Sequence, residues 1–287
     1  AETVKEYLPR LPSTKSNQPF FSNDKRYLIV FNGEIYNYLD LKVEIGNKYK
    51  FKTNSDTEVL LASYLVYGKS FIDKINGCFS FAIYDKRQNE LVFARDRLGI
   101  KPFYFYFDKH FFLIASELRS ILSSGLVKKD INYLGLNQFL SYQSTYYPNT
   151  IIKNVNMLEP GTLGTFSFKN FKLEFKKYWK LGIKSKNTSL MSYDVLKKKV
   201  KRKILSSVEK RLMSDVELAA FLSGGVDSTI IVGLMKELGV KNINTFSLVH
   251  DNKKYDESVY SDMVAKKYNT NHHKVTISKD ELVSEVT

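Results

Sequence analysis

The sequence predicts an α+β domain followed by part of an α/β domain with a parallel sheet. The first observation is a series of short alternating or apolar segments between residues 27 and 175, which turn residues separate, as is typical of antiparallel strands. The second is an apolar strand, a glycine loop and a helical pattern within residues 216–239. The third is the alternation of strand and helix patterns that follows this loop.

Length and composition agree with two folded domains. The chain has 287 residues, and its hydrophobic content of 43% is enough to form cores. It has no apolar run of membrane-spanning length, and Ala1 does not open a signal sequence. The single cysteine excludes an intramolecular disulfide and indicates a reducing, cytoplasmic compartment. Cys78 lies in an alternating pattern, so we expect a small core residue and not a nucleophile.

The positive charge is concentrated in one segment. The formal net charge is +14, and residues 169–211 hold 15 Lys and Arg against three acids. Apolar residues from Val195 to Leu212 recur there at helical spacing, which predicts an amphipathic helix with a basic outer face. We interpret this face as solvated, because no nucleic-acid motif accompanies it. A basic binding module is the alternative interpretation.

The elements of the first domain follow from its polarity pattern in chain order. A strand is predicted at 27–32 and a helix at 36–48. Ser55 and Glu58 have the spacing of a capping box before a second helix, which Gly68 ends. Four strands at 79–85, 90–95, 103–107 and 111–115 are predicted to form an antiparallel meander. Two helices near 117–123 and 132–140 follow in the sequence, and then two strands at 162–168 and 171–175.

The second domain begins after a polar stretch near residues 181–192, which we take as a linker. Its predicted order is helix, strand, glycine loop, helix, a strand from Asn244 to Val249, a helix near 257–267 and a strand near Lys274. A doubly wound sheet usually has five or more strands. We therefore expect that the C-terminal part of this domain is missing from the chain.

Residues 222–228 read Leu-Ser-Gly-Gly-Val-Asp-Ser at the junction of strand and helix. Gly224 and Gly225 let the backbone approach an anion, Ser223 and Ser228 offer hydroxyl donors, and the helix start adds the positive end of its dipole. No Gly-Lys-Ser/Thr follows, so the loop is not a Walker A motif. It resembles the pyrophosphate loop of N-type ATP pyrophosphatases. An ordinary glycine turn is the alternative.

An ordered set of motifs across both domains resembles glutamine-hydrolysing asparagine synthetases. The motifs are Phe31-Asn32-Gly33-Glu34-Ile35-Tyr36-Asn37-Tyr38, Ser55-Asp56-Thr57-Glu58, Asn76-Gly77-Cys78-Phe79-Ser80-Phe81-Ala82-Ile83-Tyr84-Asp85, Ala94-Arg95-Asp96-Arg97-Leu98-Gly99-Ile100-Lys101-Pro102-Phe103-Tyr104, Ala115-Ser116-Glu117-Leu118, the loop at 222–228, Phe246-Ser247 and Tyr255-Asp256-Glu257-Ser258. The resemblance implies a class II glutamine amidotransferase domain with the αββα N-terminal-nucleophile fold over 1–180 and an ATP-binding domain over 193–287. It further implies that aspartate is amidated through β-aspartyl-AMP with ammonia from glutamine.

The resemblance also implies site residues. Asn32 and Gly33 would form the oxyanion hole and, with Glu34 and Asp56, the glutamine pocket. Seen alone, Asn32-Gly33 would be a turn and Asp56 a helix cap. The ATP site would comprise Leu222, Ser223, Gly224, Gly225, Val226, Asp227, Ser228 and Leu248, with Asp227 as a ligand of Mg²⁺. Arg95, Asp96, Arg97 and Lys101 are expected to form a structural ion-pair network near the contact between the domains.

The two ends of the chain depart from the family pattern. The family's nucleophile is an N-terminal cysteine, whereas residue 1 is Ala1. Residues 1–16 match the family's opening segment only faintly, so Arg10 receives no role. The later Ser-Gly-Asp-Gly-x-Asp-Glu segment is absent. We therefore expect a fragment or degraded copy that hydrolyses no glutamine and makes little or no asparagine.

Two other functions stay open at this point. One is a related adenylating ligase of the β-lactam synthetase or lasso cyclase type with a retired glutaminase domain, which the complete set of Asn32, Gly33, Glu34 and Asp56 disfavours. The other is a non-catalytic module that binds through the basic helix near 197–203. The expected ligands are glutamine, aspartate and ATP, without membrane or nucleic acid, and the family resemblance suggests a homodimer.

Overall fold

The computed structural model describes residues 17–182, 191–213, 217–250 and 256–277. The chain divides into two compact units, one containing the described residues up to 182 and the other those from 191 onward. The expected linker falls mostly on residues 183–190, which lie outside the described residues. Within the described residues, no helix combines the length and the apolar character that a membrane crossing requires.

The first unit contains two antiparallel sheets. The larger has the order β1-β2-β3-β4-β8-β9, and the smaller has the order β6-β5-β7. The strands are β1 (Phe20–Phe21), β2 (Tyr27–Ile35), β3 (Gly77–Asp85), β4 (Glu90–Arg95), β5 (Tyr104–Phe107), β6 (Phe112–Ala115), β7 (Val155–Met157), β8 (Thr162–Ser167) and β9 (Lys172–Lys177).

Helices accompany the two sheets of this unit. They are α1 (Tyr38–Ile45), α2 (Asp56–Tyr67), α3 (Leu118–Ser123) and α4 (Tyr133–Tyr142), with 3₁₀ turns at Gly46–Lys48 and Gly68–Asp73. Helices α1 and α2 pack on the larger sheet, where Leu61 and Phe81 share a core. Phe93 and Phe103 pack between the sheets, and Ile121 of α3 packs on the far side of the smaller sheet. The layers are therefore αββα, which confirms the expected fold class.

The predicted four-strand meander is wrong, although all four strands exist. Strand β4 pairs with β8, whereas β5 pairs with β6 and β7 in the other sheet. The chain changes sheets after β4 because the Asp96 carboxylate accepts hydrogen bonds from the N–H groups of Leu98 and Ile100, both at 3.0 Å. These local bonds form a tight turn in place of a hairpin.

The second unit is a three-stranded parallel sheet with the order β10-β11-β12. Its elements are α5 (Tyr193–Glu209), β10 (Ala219–Phe221), α6 (Val226–Glu237), β11 (Asn244–His250), α7 (Ser258–Tyr268) and β12 (Asn271–Ile277). The predicted alternation of strand and helix and the parallel pairing are both confirmed.

Helix α5 carries the basic face that its sequence predicts, but its apolar stripe is only partly buried. Leu205 and Val208, near its C-terminal end, pack against the core that contains Leu234. Val200 is 49% exposed and Ile204 is 37% exposed. The helix therefore contributes to the core of its unit mainly through its last two turns.

Candidate functional site

Asn32, Gly33 and Glu34 lie inside strand β2, which continues three residues beyond its predicted end at residue 32. In the register with β3, Asn32 lies opposite Ser80 and Glu34 opposite Cys78. Residues directly opposite each other project from the same face of a sheet. The interpretation of Asn32-Gly33 as a turn is therefore wrong, and the strand presents Asn32 and Glu34 on one face.

That face borders a cavity of about 230 Å³ between the two sheets. Asn32, Ser80 and Ser116 contribute polar side chains to an otherwise mainly apolar lining. The Asn32 Nδ2 donates a hydrogen bond of 3.3 Å to the Ser116 Oγ. Ser116 lies in a recognised motif, but the sequence did not assign this residue to the site. The reason is that its contact with Asn32 joins residues 84 positions apart.

Gln18 fixes the edge of this cavity. Its Nε2 donates to the Phe31 carbonyl oxygen at 2.8 Å, and its Oε1 accepts from the Phe31 N–H at 2.6 Å. One side chain thus satisfies both backbone groups of the residue before Asn32. The sequence analysis assigned no role to Gln18, because this residue lies in none of the recognised motifs.

Asp56 lies at the end of β2, beside Glu34. It is the first residue of α2, and its Oδ2 accepts from the Ile35 N–H at 3.0 Å. The side chain that caps α2 is that of Ser55, which accepts from the Thr57 N–H at 3.2 Å. The structure therefore brings Asp56 to the end of the strand that carries Asn32, Gly33 and Glu34.

Glu58 does not complete the predicted capping box. It is fully buried, and its carboxylate accepts from the N–H of Lys52 at 3.0 Å and from that of Thr53 at 2.6 Å. The Ser55 N–H donates instead to the Thr53 Oγ1 at 3.1 Å. Glu58 thus orders the loop that leads into α2 and thereby fixes the position of Asp56.

The Arg95–Lys101 segment is structural, as expected. Among the residues that the structure describes, its network consists of hydrogen bonds to the backbone, whereas ion pairs were expected. The buried Arg95 guanidinium donates to the carbonyl oxygens of Gly99, Lys101 and Leu158, each at 2.8 Å. The Asp96 Oδ2 accepts from the Phe79 N–H at 3.2 Å. Phe79 pairs with Gly33, so this segment supports the strand that carries the site.

Cys78 is half-buried and accepts a hydrogen bond of 3.1 Å from the Tyr36 hydroxyl at its Sγ. It lies opposite Glu34 at the edge of the site. The expectation of a small core residue is therefore wrong, because β3 begins two residues earlier than predicted and Cys78, its second residue, is only half-buried.

The glycine loop of the second unit is closed by its own hydroxyl groups. The Ser223 and Ser228 Oγ atoms are 3.1 Å apart, and the Gly225 N–H donates to the Ser223 Oγ at 3.3 Å. Gly224 has φ +81°, and a Cβ there would collide with Tyr260 of α7. The loop therefore requires glycine at this position for two separate reasons.

A cavity of about 360 Å³ opens beside this loop. Leu222, Ser223 and Leu248, all expected in the nucleotide pocket, line it, together with Glu257 and Ser261. Gly224 to Ser228 form the loop and the first turn of α6, where Asp227 is exposed. Sequence reasoning did not assign Glu257 or Ser261 to the pocket, although Glu257 lies in one of the recognised motifs.

In the described ranges, no group of three or more His, Cys, Asp and Glu side chains could hold a metal ion.

Comparison with known families supports this division into two functional regions. The model of the glutamine amidotransferase domain matches residues 11–179, and the model of asparagine synthase matches residues 199–287. The expected family is thereby confirmed.

Curated relatives match across both regions. Asparagine synthetase [glutamine-hydrolyzing] 3 of Bacillus subtilis is 34% identical over 273 residues, which cover 90% of this chain and 44% of the relative. Putative asparagine synthetase [glutamine-hydrolyzing] 2 of Methanocaldococcus jannaschii is 35% identical over 86% of this chain and 47% of its own length. Amidase chry2 of Gibberella zeae is 32% identical over 95% of this chain and 42% of its own length.

The chain thus spans less than half the length of each of these relatives. The matches nevertheless run through the αββα unit and the glycine-loop unit alike. The chain belongs to the family of glutamine-hydrolysing asparagine synthetases, in which a glutamine amidotransferase domain precedes an asparagine synthase region.

Proposed function

We propose that the first unit binds glutamine, that the second binds ATP, and that the whole protein transfers the amide nitrogen of glutamine to a carboxylate. The observation that carries this proposal is the hydrogen bond between the Asp56 carboxylate and the Ile35 N–H. It joins two sequence motifs into one polar site beside Asn32. The relatives named as glutamine-hydrolysing asparagine synthetases support aspartate as the acceptor.

In the glutamine site, the two acidic residues would receive the α-ammonium group. Asp56 accepts from the backbone N–H of Ile35, the residue after Glu34, so both carboxylates belong to the end of β2. The Asn32 amide and the Gly33 N–H would donate to the oxyanion that forms when the amide of glutamine is attacked. The roles proposed for these four residues are therefore binding of glutamine and stabilisation of the oxyanion.

In the nucleotide site, the glycine loop would hold the phosphates of ATP. Ser223 and Ser228 bring hydroxyl groups to the loop, and α6 directs its N-terminal dipole toward the same place. Mg²⁺ commonly binds through one or two carboxylates together with substrate phosphates. The exposed carboxylate of Asp227 would be such a ligand. When bound, the ion would neutralise phosphate charge. Leu222 and Leu248 would contact the nucleoside. Attack of the aspartate β-carboxylate on the α-phosphate of ATP would give β-aspartyl-AMP and release pyrophosphate.

We further propose the domain limits that the motifs suggest, with glutaminase-like residues 1–180, a linker at 181–192 and the ATP-binding region at 193–287. An adenylating ligase with a retired glutaminase domain is a weaker proposal. A retired pocket has no physical reason to keep both carboxylates beside the oxyanion donors. A role for the basic helix α5 in nucleic-acid binding has no support from the described contacts, which include an ion pair between Lys201 of α5 and Glu237 of α6.

The test is calorimetric titration of the purified chain with L-glutamine. Asp56→Asn keeps an acceptor for the Ile35 N–H but removes the charge that would bind the ammonium group. We expect the dissociation constant for glutamine to rise about 10- to 100-fold, the factor that corresponds to the loss of one charged hydrogen bond. Asp40→Asn, an exposed acid on α1, is the control and should bind as the original chain does. Equal affinity of the Asp56→Asn and Asp40→Asn variants would overturn the assignment.

A further inference from the structure

A buried polar network lies under the glycine loop, and the proposed function makes no use of it. It runs from Thr270 through Thr245, His272 and Ser247 to the carbonyl oxygen of Leu222. The Thr245 Oγ1 lies 2.8 Å from the Thr270 Oγ1 and 2.9 Å from the His272 Nδ1. The Ser247 Oγ lies 3.4 Å from the His272 Nε2 and donates a short hydrogen bond to the Leu222 carbonyl oxygen. Thr245 and Ser247 are buried.

The directions of these hydrogen bonds follow from the number of protons available. Ser247 donates its single hydroxyl proton to the Leu222 carbonyl oxygen, so toward His272 the Ser247 Oγ can only accept a hydrogen bond. The Nε2 of His272 must therefore carry a proton. In a neutral imidazole the Nδ1 is then an acceptor, which receives the Thr245 hydroxyl proton. Thr245 in turn accepts from Thr270, and every member of the network has one consistent role.

The network ends at the first residue of the loop. Leu222 is buried, its N–H donates to the Phe246 carbonyl oxygen at 2.8 Å, and its carbonyl oxygen receives the Ser247 hydroxyl. In a planar trans peptide, the carbonyl oxygen of one residue and the N–H of the next point in opposite directions. Holding the Leu222 oxygen toward Ser247 therefore aims the Ser223 N–H away from Ser247. Ser223 is the residue whose side chain closes the glycine loop.

We propose that His272, as its neutral Nε2–H tautomer, is a positioning residue that orients the glycine loop for nucleotide phosphate through Ser247 and the Leu222 carbonyl. This inference rests on the proposed function of the loop as an ATP site. It adds a role for a residue on β12, which has no place in the loop sequence itself.

The charges around the ring agree with a neutral imidazole near pH 7. Burial lowers the pKa of His272 below its usual value. It outweighs the opposite effects of Asp262 on α7, whose Oδ1 lies 3.7 Å from the Nε2, and of the Thr245 backbone. Lys274 forms an ion pair of 2.8 Å with the same Asp262 and, like His273, disfavours the cation.

The first experiment observes the tautomer directly and does not depend on ATP. Imidazole ¹⁵N chemical shifts of the chain at pH 7.5 should report a protonated Nε2 and an unprotonated Nδ1 for His272. In Ser247→Ala this preference should weaken, because the acceptor of the Nε2 proton is lost. A His272 with the proton on Nδ1, or one that is doubly protonated, would overturn the proposal.

The second experiment is a double-mutant cycle with Mg-ATP binding measured by calorimetry. We expect His272→Ala to raise the dissociation constant about three- to tenfold, the factor that corresponds to one neutral hydrogen bond. His272→Gln, which keeps one acceptor and one donor, should restore most of the affinity. In the Ser247→Ala background, His272→Ala should cause no additional loss. His110→Ala, an exposed histidine in the first unit, is the control and should leave binding unchanged.

The two proposals fail in different ways. If the original chain binds no Mg-ATP, the proposed function fails, and the ¹⁵N shifts still decide whether His272 has the tautomer that the network requires. If the chain binds Mg-ATP but His272→Ala has no effect, or has the same effect with and without Ser247, the positioning role is refuted and the nucleotide site stands.

Discussion

Gly33 is the single residue on which the backbone of the proposed glutamine site depends most directly. Its φ is +150°, and a Cβ at this position would collide with the carbonyl oxygen of Cys78 on the neighbouring strand. Gly33→Ala must therefore separate β2 from β3 beside Asn32. We expect it to abolish glutamine binding and to lower the free energy of unfolding by about 2 kcal/mol or more. Urea denaturation and glutamine titration measure the two effects.

Gly68 is a matched control for this substitution. It also has a positive φ, +60°, but a Cβ there would meet no atom within 4 Å. Gly68→Ala should cost only the backbone strain, about 1 kcal/mol, and should keep glutamine binding. Equal effects of the two substitutions would mean that the close approach of β3 to Gly33 is unimportant.

Asp85 provides a pH-dependent contribution to stability at the opposite end of the same strand pair. Its carboxylate accepts from the Arg26 Nε at 2.9 Å and from the Arg26 Nη2 at 2.6 Å. This contact, opposed by burial and aided by the N–H groups of Gln88 and Arg87, lowers the pKa of Asp85 from 3.8 to about 2. Because the folded-state pKa is below the unfolded value, the stabilisation is present above pH 3.8 and is lost as the pH falls toward 2.

Urea denaturation of the original chain and of Asp85→Asn between pH 7 and pH 2 tests this contribution. The original chain should be more stable at neutral pH, and the difference should shrink as the pH falls from about 4 to about 2. Glu174→Gln, in an exposed pair with Lys172, should show no measurable difference. A difference for Asp85→Asn that persists unchanged at pH 2 would contradict the assignment.

At the scale of elements, the junction of β10, the glycine loop and α6 can be tested with a matched pair of glycines. Gly224 and Gly239 both have φ +81°, but only at Gly224 would a Cβ collide with α7. We expect Gly224→Ala to abolish Mg-ATP binding, whereas Gly239→Ala should cost stability alone. Calorimetric titration and thermal unfolding of both variants distinguish the two effects. Retained nucleotide binding in Gly224→Ala would show that the close contact between loop and helix is dispensable.

The elements were predictable where local patterns determine them, and unpredictable where distant pairing does. Helix α2 begins after Ser55 and ends before Gly68, as its capping residues indicate. Strands β1 and β7 are two and three residues long, and no periodicity is detectable over such lengths. Strand β7 is a strand because it pairs with β5, about fifty residues earlier in the chain. The same dependence on distant partners explains why the four-strand meander was wrong.

The proposed site was predictable only as a set of residue types. The motifs named Asn32, Glu34 and Asp56, and the structure places them together. They did not include Gln18 or His272, and the motif that includes Ser116 did not assign it to the site. The contacts of these three residues join positions that are 13, 25 to 27 and 84 residues apart, respectively. Such contacts follow from the packing of sheets, so a motif confined to one segment does not contain them.

At the scale of the whole molecule, the two units carry two separate ligand sites in the proposed function. The αββα unit holds the carboxylates at the end of β2, and the parallel-sheet unit holds the glycine loop. Each unit has its own core, so each ligand should bind without the other. This independence is the central claim about the chain, because it attributes one ligand to each domain.

Amide NMR spectra of the chain, titrated separately with L-glutamine and with Mg-ATP, test this claim most directly. We predict that glutamine shifts the amide signals of Gly33, Glu34 and Ile35 and leaves those of the glycine loop unchanged. Mg-ATP should shift the signals of Ser223 to Asp227 and leave those of β2 unchanged. Failure of glutamine to perturb β2, or of Mg-ATP to perturb the loop, would contradict the account.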